Sequence, residues 1–324
     1  MTSWILRRLG QAAFVMLAMS VIVFIGVFQI GNPADIMLSQ DADQMERARV
    51  IAQFGLDQPL WKQYLLFLQA ALSGDLGNSF IYNSPALGVI LDKLPATLEL
   101  TLAAMLLAVL IGVPAGLYAG LYPDRLLSRT MMAGSILGFS LPSFWVGLML
   151  IMLLSVQFGV LPSNGRGETA ELLGIQWSFL TLDGIKHMLL PALNLAFFKC
   201  AIVMRLTRAG VREVVPMDYI KFARAKGLAP SRIVGVHVLR NILIPVVTVL
   251  GIEFGSALAF AVVTESIFSW PGMGKLLIDS INVLDRPIIV AYLLLIVVVF
   301  TVINLAVDLA YGLLDPRVRV GTAS

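Results

Sequence analysis

Lys199 and Glu253 are the ionisable residues that stand midway along otherwise apolar runs, His187–Leu206 and Ile242–Val263. A charge held in hydrocarbon is expensive and therefore a candidate for function. The two runs are consecutive and, if both cross a membrane, antiparallel, so the two side chains reach similar depth. Their chemistry is then either an ion pair that ties two helices together or the lining of a polar pathway. The residues alone leave both open. Arg205 and Asp308 lie nearer one end of their runs, where long side chains can snorkel out. Glu99 and Glu265 fall near the opposite interface.

Covalent and nucleotide chemistry finds no such foothold. "GMGKLL" offers a Gly-Lys pair without the upstream glycine of a phosphate loop, so this chain is not expected to bind ATP. There is no G-x-S-x-G elbow, no H-E-x-x-H pair and no Asp-rich calcium loop. Cys200 is alone and inside an apolar run, and His187 and His237 fall at opposite faces, so neither a disulfide nor a metal site is expected. No catalytic residue is assigned, no cofactor is expected in this chain, and no nucleic-acid partner is expected.

The elements that must hold Lys199 and Glu253 are membrane spans. Of the 324 residues, 58% are hydrophobic and 13% charged, with a mean hydropathy of +0.88; soluble domains average about 45–50% apolar and about 25% charged. About 20 apolar residues cross a hydrocarbon core. Leu9–Ile30, Leu100–Leu121 and Met131–Val160 carry no charge, and His187–Leu206, Ile242–Val263 and Pro287–Val307 follow. Six spans and an all-α membrane protein are the expectation. The first run follows Arg7 and Arg8 but is longer than a signal-peptide core and lacks a small-x-small cleavage site, so it reads as a retained helix.

Orientation follows from Lys and Arg in the flanks. With both termini inside, fourteen of the 23 fall on the cytoplasmic face and eight outside, with Lys199 in a span. Outside, residues 31–96 form the largest segment: "DADQMERARVIAQFGL" reads as one amphipathic helix, "DQPLWKQYLLFLQAAL" as a second, and "SGDLGNSF" as a turn cluster. "FSWPGMGKLL" reads as an aromatic, glycine-rich turn before a helix start. Outer loops of this kind serve as lids, docks or plain connectors. Within the spans, "IGVPAGLYAG" and "LGFSLPSFWVG" suit either close helix contact or a kink at Pro114 and Pro142.

On the inner side, "MDYIKFARAKGLAPSRIVGVHVLRNILIP" interrupts the apolar pattern. Asp218 suits a helix N-terminus, Gly227 a stop, and Pro230-Ser231 a restart. Ala223, Ala225 and Gly227 make one portion small, while Tyr219, Ile220 and Phe222 are apolar anchors. This helix-turn-helix is either a knob for another protein's groove or a basic surface lying on anionic lipid.

The stretch is similar to the cytoplasmic coupling loop of ATP-binding-cassette importer permeases. Set against that family's general pattern, with Gly227 as its glycine, only Ala223, Gly227 and Leu239 match, whereas Lys221, Phe222, His237 and Arg240 depart. The di- and oligopeptide-importer branch fits far better. "DYIKFARAKGL" with "LRNILIPVVTVLG" resembles its coupling loop, and Pro245 supplies the proline at the start of the fifth span. "VTESIFSWPGMGKLL" resembles its outer loop, while "FGLDQPLWKQYL", "SGDLGNSF" and "LPATLELTLA" resemble its first outer segment and second span. "LRRLGQAAFVML" and "GNPAD" resemble its start, with Asn32 where Asp is commoner.

The resemblance implies a type I importer permease fold, arranged as an N-terminal span over 1–30, an outer segment over 31–96, a permease domain over 97–313 with a coupling loop at 211–240, and a tail over 314–324. It implies a multi-pass protein of the bacterial cytoplasmic membrane and a homologous second permease. Two ATPase subunits binding ATP and Mg would receive the coupling helices, and an extracytoplasmic binding protein would deliver di- or oligopeptides. Glutathione, nickel chelates or other small solutes are the alternative cargo. Tyr219, Phe222, Ala223, Arg224, Ala225, Lys226 and Gly227 then become the ATPase contact, and Glu265, Trp270, Pro271 and Gly272 an outer gate or dock. A self-contained channel or ion-coupled carrier using Lys199 and Glu253 is the rival, but the two halves of the chain show no repeat.

Overall fold

Hydrocarbon offers backbone N–H and C=O groups no partner, so apolar runs of this length must satisfy themselves as helices. The computed structural model describes residues 2–29 and 58–314. "GNPAD", the amphipathic stretch at 41–56 with Arg47 and Arg49, and Arg317 and Arg319 lie outside the described residues. The described helices are α1 (Thr2–Gln29), α2 (Leu60–Leu72), α3 (Ala86–Leu121), α4 (Leu126–Ser140), α5 (Ser143–Leu150, continued by a π-helical Ile151–Gln157), α6 (Leu182–Val214), α7 (Asp218–Ala225), α8 (Leu239–Ile267), α9 (Met273–Asn282) and α10 (Arg286–Leu314).

Five of them, α1, α3, α6, α8 and α10, are long and apolar enough to cross a membrane. The sixth expected span, Met131–Val160, is broken: α4 and α5 meet at 112°. The cause is local. Leu141 is extended (ψ 140°) because a residue before proline is pushed out of the helical region, and Pro142, itself extended, is the N-cap of α5. Pro95 and Pro114, by contrast, lie inside a continuous α3. The glycines around Pro114 serve packing. Gly112, Gly116 and Gly120 stand four residues apart on α3, and a Cβ on each would come within 2.9 Å of Val203, 2.5 Å of the Met204 carbonyl and 2.6 Å of Val211. These small residues let α3 and α6 approach backbone to backbone, as in membrane helix pairs generally.

The described chain falls into two compact units. In the first, Met1–Leu94 with Lys275–Thr301, α1 packs on α2 through a 2.9 Å hydrogen bond between the Ser20 and Tyr64 hydroxyls and through Phe24, whose ring meets Tyr64 edge to face at 5.4 Å. The "SGDLGNSF" turn ends on a buried Asp285, which accepts hydrogen bonds from the Ser79 hydroxyl and the Phe80 N–H. In the second unit, Pro95–Gly274 with Val302–Ser324, the core is built by α3, α6 and α8. Ala104, Leu195, Ala196 and Ala257 form one layer, and Ala96, Leu100, Ala192 and Trp270 another. Leu102, Leu106 and Leu110 form an exposed stripe on α3, as is natural where lipid rather than water is the solvent.

A hairpin not anticipated from the sequence interrupts the helical pattern. β1 (Ala170–Leu172) pairs antiparallel with β2 (Ile175–Trp177), in the register Ala170↔Trp177 and Leu172↔Ile175. Leu173 and Gly174 form its two-residue turn at φ 58° and 76°, the backbone signs of a type I′ hairpin.

Candidate functional site

Helix α7 is short and two-faced. Ile220 (0% exposed) and Ala223 (5%) point inward and pack with Val211 of α6 and with Ile233, Val238 and Ile242 on the approach to and start of α8. Burying a side chain the size of Ile220 is worth roughly 1.5–3 kcal/mol. That face clamps α7 to the two spans it joins. Tyr219 (43%) and Phe222 (61%) lie exposed on the other side, with Arg224, Ala225, Lys226 and Gly227. Lys226 covers the Phe222 ring at 4.5 Å, and Lys221 donates to Asp218 at 2.8 Å on the exposed surface.

The stop is built by hydrogen bonds. Leu228 N–H donates to the Ala223 carbonyl (3.2 Å) and Gly227 N–H to the Arg224 carbonyl (2.9 Å), with Gly227 at φ +71°. These are the 6→1 and 5→2 bonds of a Schellman motif, which needs a left-handed residue after the last turn. Leu228 packs back on the cluster around Ile220. Pro230 then restarts the helix at its first position, and a π-helical Ile233–Val238 leads into α8, which contains Pro245. The sequence therefore reveals the stop and restart, but it assigns Ala223 the wrong side. Ala223 faces the core, the anchors are Ile220 and Leu228, and Tyr219 and Phe222 face outward.

Lys199 and Glu253 meet. Lys199 Nζ donates to Glu253 Oε2 at 2.6 Å and to Ser256 Oγ at 2.7 Å. The Lys199 and Glu253 side chains keep 12% and 20% of their exposure, so the pair is closed by protein on most sides but not all. Ser256, one turn along α8 from Glu253, gave no signal in the sequence beyond that spacing.

The residues expected as an outer gate or dock lie deeper than a docking surface requires. Glu265 and Trp270 have no exposed surface, Gly272 is buried and Pro271 half-buried. Thr97 of α3 donates to Glu265 Oε1 at 2.6 Å and accepts from Met273 N–H at 2.8 Å, while Trp270 Nε1 donates to the Ala96 carbonyl at 2.9 Å. A Cβ at Gly272 would collide with Glu265 Oε1 and stand 2.5 Å from Thr97 Oγ1, so only glycine lets the turn wrap the carboxylate. Beside this lock, Glu99 accepts from Arg166 Nη2 (3.0 Å) and from Ser178 N–H (2.9 Å), which fixes the base of the hairpin to α3. Arg166 lies 5.8 Å from the Trp270 ring. Thr97 lies within "LPATLELTLA" but nothing there gave it a role, and Arg166 had no motif to mark it. They are found only through the partners they hold.

The chain matches two family models: binding-protein-dependent transport system inner membrane component over residues 112–320, and the N-terminal part of such a membrane component over residues 1–101. It is 38% identical to the dipeptide transport system permease protein DppB of Escherichia coli (strain K12) and 40% identical to the di/tripeptide transport system permease protein DppB of Pseudomonas aeruginosa (strain UCBPP-PA14). It is 36% identical to the glutathione transport system permease protein GsiC of Escherichia coli (strain K12). In each case 98% of this chain and 99% of the relative are covered. A chain of the inward-facing MetNI methionine ABC transporter superposes with a TM-score of 0.53 at 18% identity, covering 70% of this chain and 96% of that one, a likeness of fold alone.

Proposed function

Because the chain belongs to the family of binding-protein-dependent transport system inner membrane components, we propose that it forms half of the translocation pathway of an ATP-driven importer of di- or oligopeptides. It is a multi-pass membrane protein and a transport subunit. A homologous second permease completes the pathway, two separate ATPase subunits bind ATP and Mg, and an extracytoplasmic binding protein delivers the peptide. The 1–30, 31–96, 97–313 and 314–324 organisation is kept in this reading, with both termini cytoplasmic in a bacterial inner membrane.

The observation that carries it is α7. A short helix is held rigidly to α6 and α8 by its inner face, ends in a fixed turn, and presents Tyr219 and Phe222 outward with Arg224, Ala225 and Lys226. Such an element passes force between a separate protein and two spans at once, because displacing α7 displaces the ends of both. In this reading the ATPase groove takes Tyr219, Phe222 and Ala225. Arg224 and Lys226 meet acidic rim residues, Ala223 supports from behind, and Gly227 sets the angle. Glu265, Trp270, Pro271 and Gly272 position the outer loop rather than touch the binding protein. Peptide rather than another cargo is supported by the relatives named for dipeptides and di/tripeptides; the glutathione permease keeps a tripeptide-like cargo as the second reading.

The test is a Phe222→Asp variant purified with the partner subunits. Loss of ATPase co-purification, or of uptake with ATP hydrolysis running on, is expected; uptake at the wild-type rate would remove α7 from this role.

A further inference from the structure

We propose that Lys199 and Glu253 form an exchange site for the two charged ends of a peptide main chain. A passing carboxylate takes Lys199 and a passing ammonium group takes Glu253, and the pair re-forms when the solute leaves. The proposal rests on the peptide reading above and names the part of the cargo that this chain recognises.

A sealed pair of this kind is a poor stabiliser, since apolar residues of similar volume usually hold helices together as well or better. Here the pair is not sealed. It keeps an open edge midway along α6 and α8, and on α8 that edge runs through Ile252 (50% exposed), Ser256 and Phe260 (72%), spaced four residues apart. A solute with one positive and one negative end needs a partner for each once water is stripped away. Two opposite charges 2.6 Å apart supply both. One pair breaks and two form, and the net charge of the site never changes. A lining of one sign would serve one end and repel the other.

Ser256 fits the exchange. It holds Lys199 at 2.7 Å independently of Glu253, so the ammonium group keeps a partner while the carboxylate turns away. Recognition by the ends suits a mixed peptide pool.

The test uses the complete transporter, with its ATPases and binding protein, in proteoliposomes. Uptake of Ala-Ala is compared with that of N-acetyl-Ala-Ala-amide, each rate expressed per loaded binding protein. In a Lys199→Met/Glu253→Gln variant, which removes both charges together, Ala-Ala uptake is expected to fall at least tenfold. The blocked peptide is expected to hold its rate, so the ratio shifts tenfold. Glu253→Gln alone should raise the rate of N-acetyl-Ala-Ala relative to Ala-Ala at least fivefold. Because the same binding protein and ATPases serve every variant, a changed ratio belongs to this chain. Unchanged ratios, an equal fall for both peptides, or loss of the assembled transporter in the charge-free variant would each mark the pair as a structural tie or a subunit contact and overturn the proposal. Failure of the unmutated transporter to import any peptide would instead overturn the cargo reading above.

Discussion

Replacing Gly227 tests how α7 is held. Its φ of +71° lies in the left-handed region, and nothing stands within 4 Å of the Cβ that a substitution would add. The penalty is therefore one of backbone conformation, not of collision. A left-handed residue other than glycine costs roughly 1–2 kcal/mol, with Asn tolerated best and β-branched residues worst. Against the two hydrogen bonds that close the turn, a loss of that size moves the ordered-to-frayed ratio by about 5- to 30-fold. Hydrogen exchange in a peptide spanning 217–232 reads this directly, since the amides of Gly227 and Leu228 are the donors. Gly227→Val should exchange faster by that factor and import less peptide per ATP hydrolysed, while Gly227→Asn stays near the parent in both. The order matters more than the size. Equal exchange in all three proteins, or a valine variant that couples normally while asparagine fails, would refute a conformational role and point to a contact that glycine alone admits.

Other substitutions probe the frame around the site. Gly116→Leu should destabilise the α3–α6 seam by the upper part of the 1–3 kcal/mol typical of overpacking or more, read as a lowered Tm or loss of protein from membranes, because the Met204 carbonyl stands 2.5 Å from the added Cβ. Trp270→Phe keeps the ring but strips the donor from the buried Ala96 carbonyl, a loss of about 1–3 kcal/mol by thermal unfolding in detergent. Gly272→Ala should disorder the outer turn and slow uptake without weakening ATPase co-purification, because it displaces Glu265 from Thr97 while leaving α7 untouched.

The features legible in the sequence are those with a local cause. Apolar runs announce spans because a helix of about 20 apolar residues is long enough to cross hydrocarbon. Gly227 and Pro230 announce a stop and a restart because each imposes its own φ. Lys199 and Glu253 could be set at similar depth in advance because their runs are consecutive and antiparallel, although the residues alone left pair and pathway open. Orientation around an axis was not legible. Helix α7 carries large apolar residues on both sides, Ile220 on one and Tyr219 and Phe222 on the other, so nothing in "DYIKFARA" says that Ile220 and Ala223 turn inward while Phe222 turns out. The same blindness hid the burial of Trp270 and Glu265, whose partners Ala96 and Thr97 stand more than 160 residues away. The 112° break at Pro142 and the continuity of α3 through Pro114 show two outcomes for one residue type. Proline removes a donor in both, and around Pro114 the continuous helix is packed closely on α6 through Gly112, Gly116 and Gly120. The hairpin at 170–177 was missed because three-residue strands with Leu-Gly in place of Asn-Gly carry too little pattern.

Uptake of a labelled dipeptide into proteoliposomes containing this chain, its partner permease, the ATPases and the binding protein, with ATP supplied on the coupling-loop side, asks the central question most directly. Uptake should require ATP and every subunit, and should vanish with Phe222→Asp. Dipeptide accumulation by this chain alone, without ATP, would instead identify a self-contained carrier.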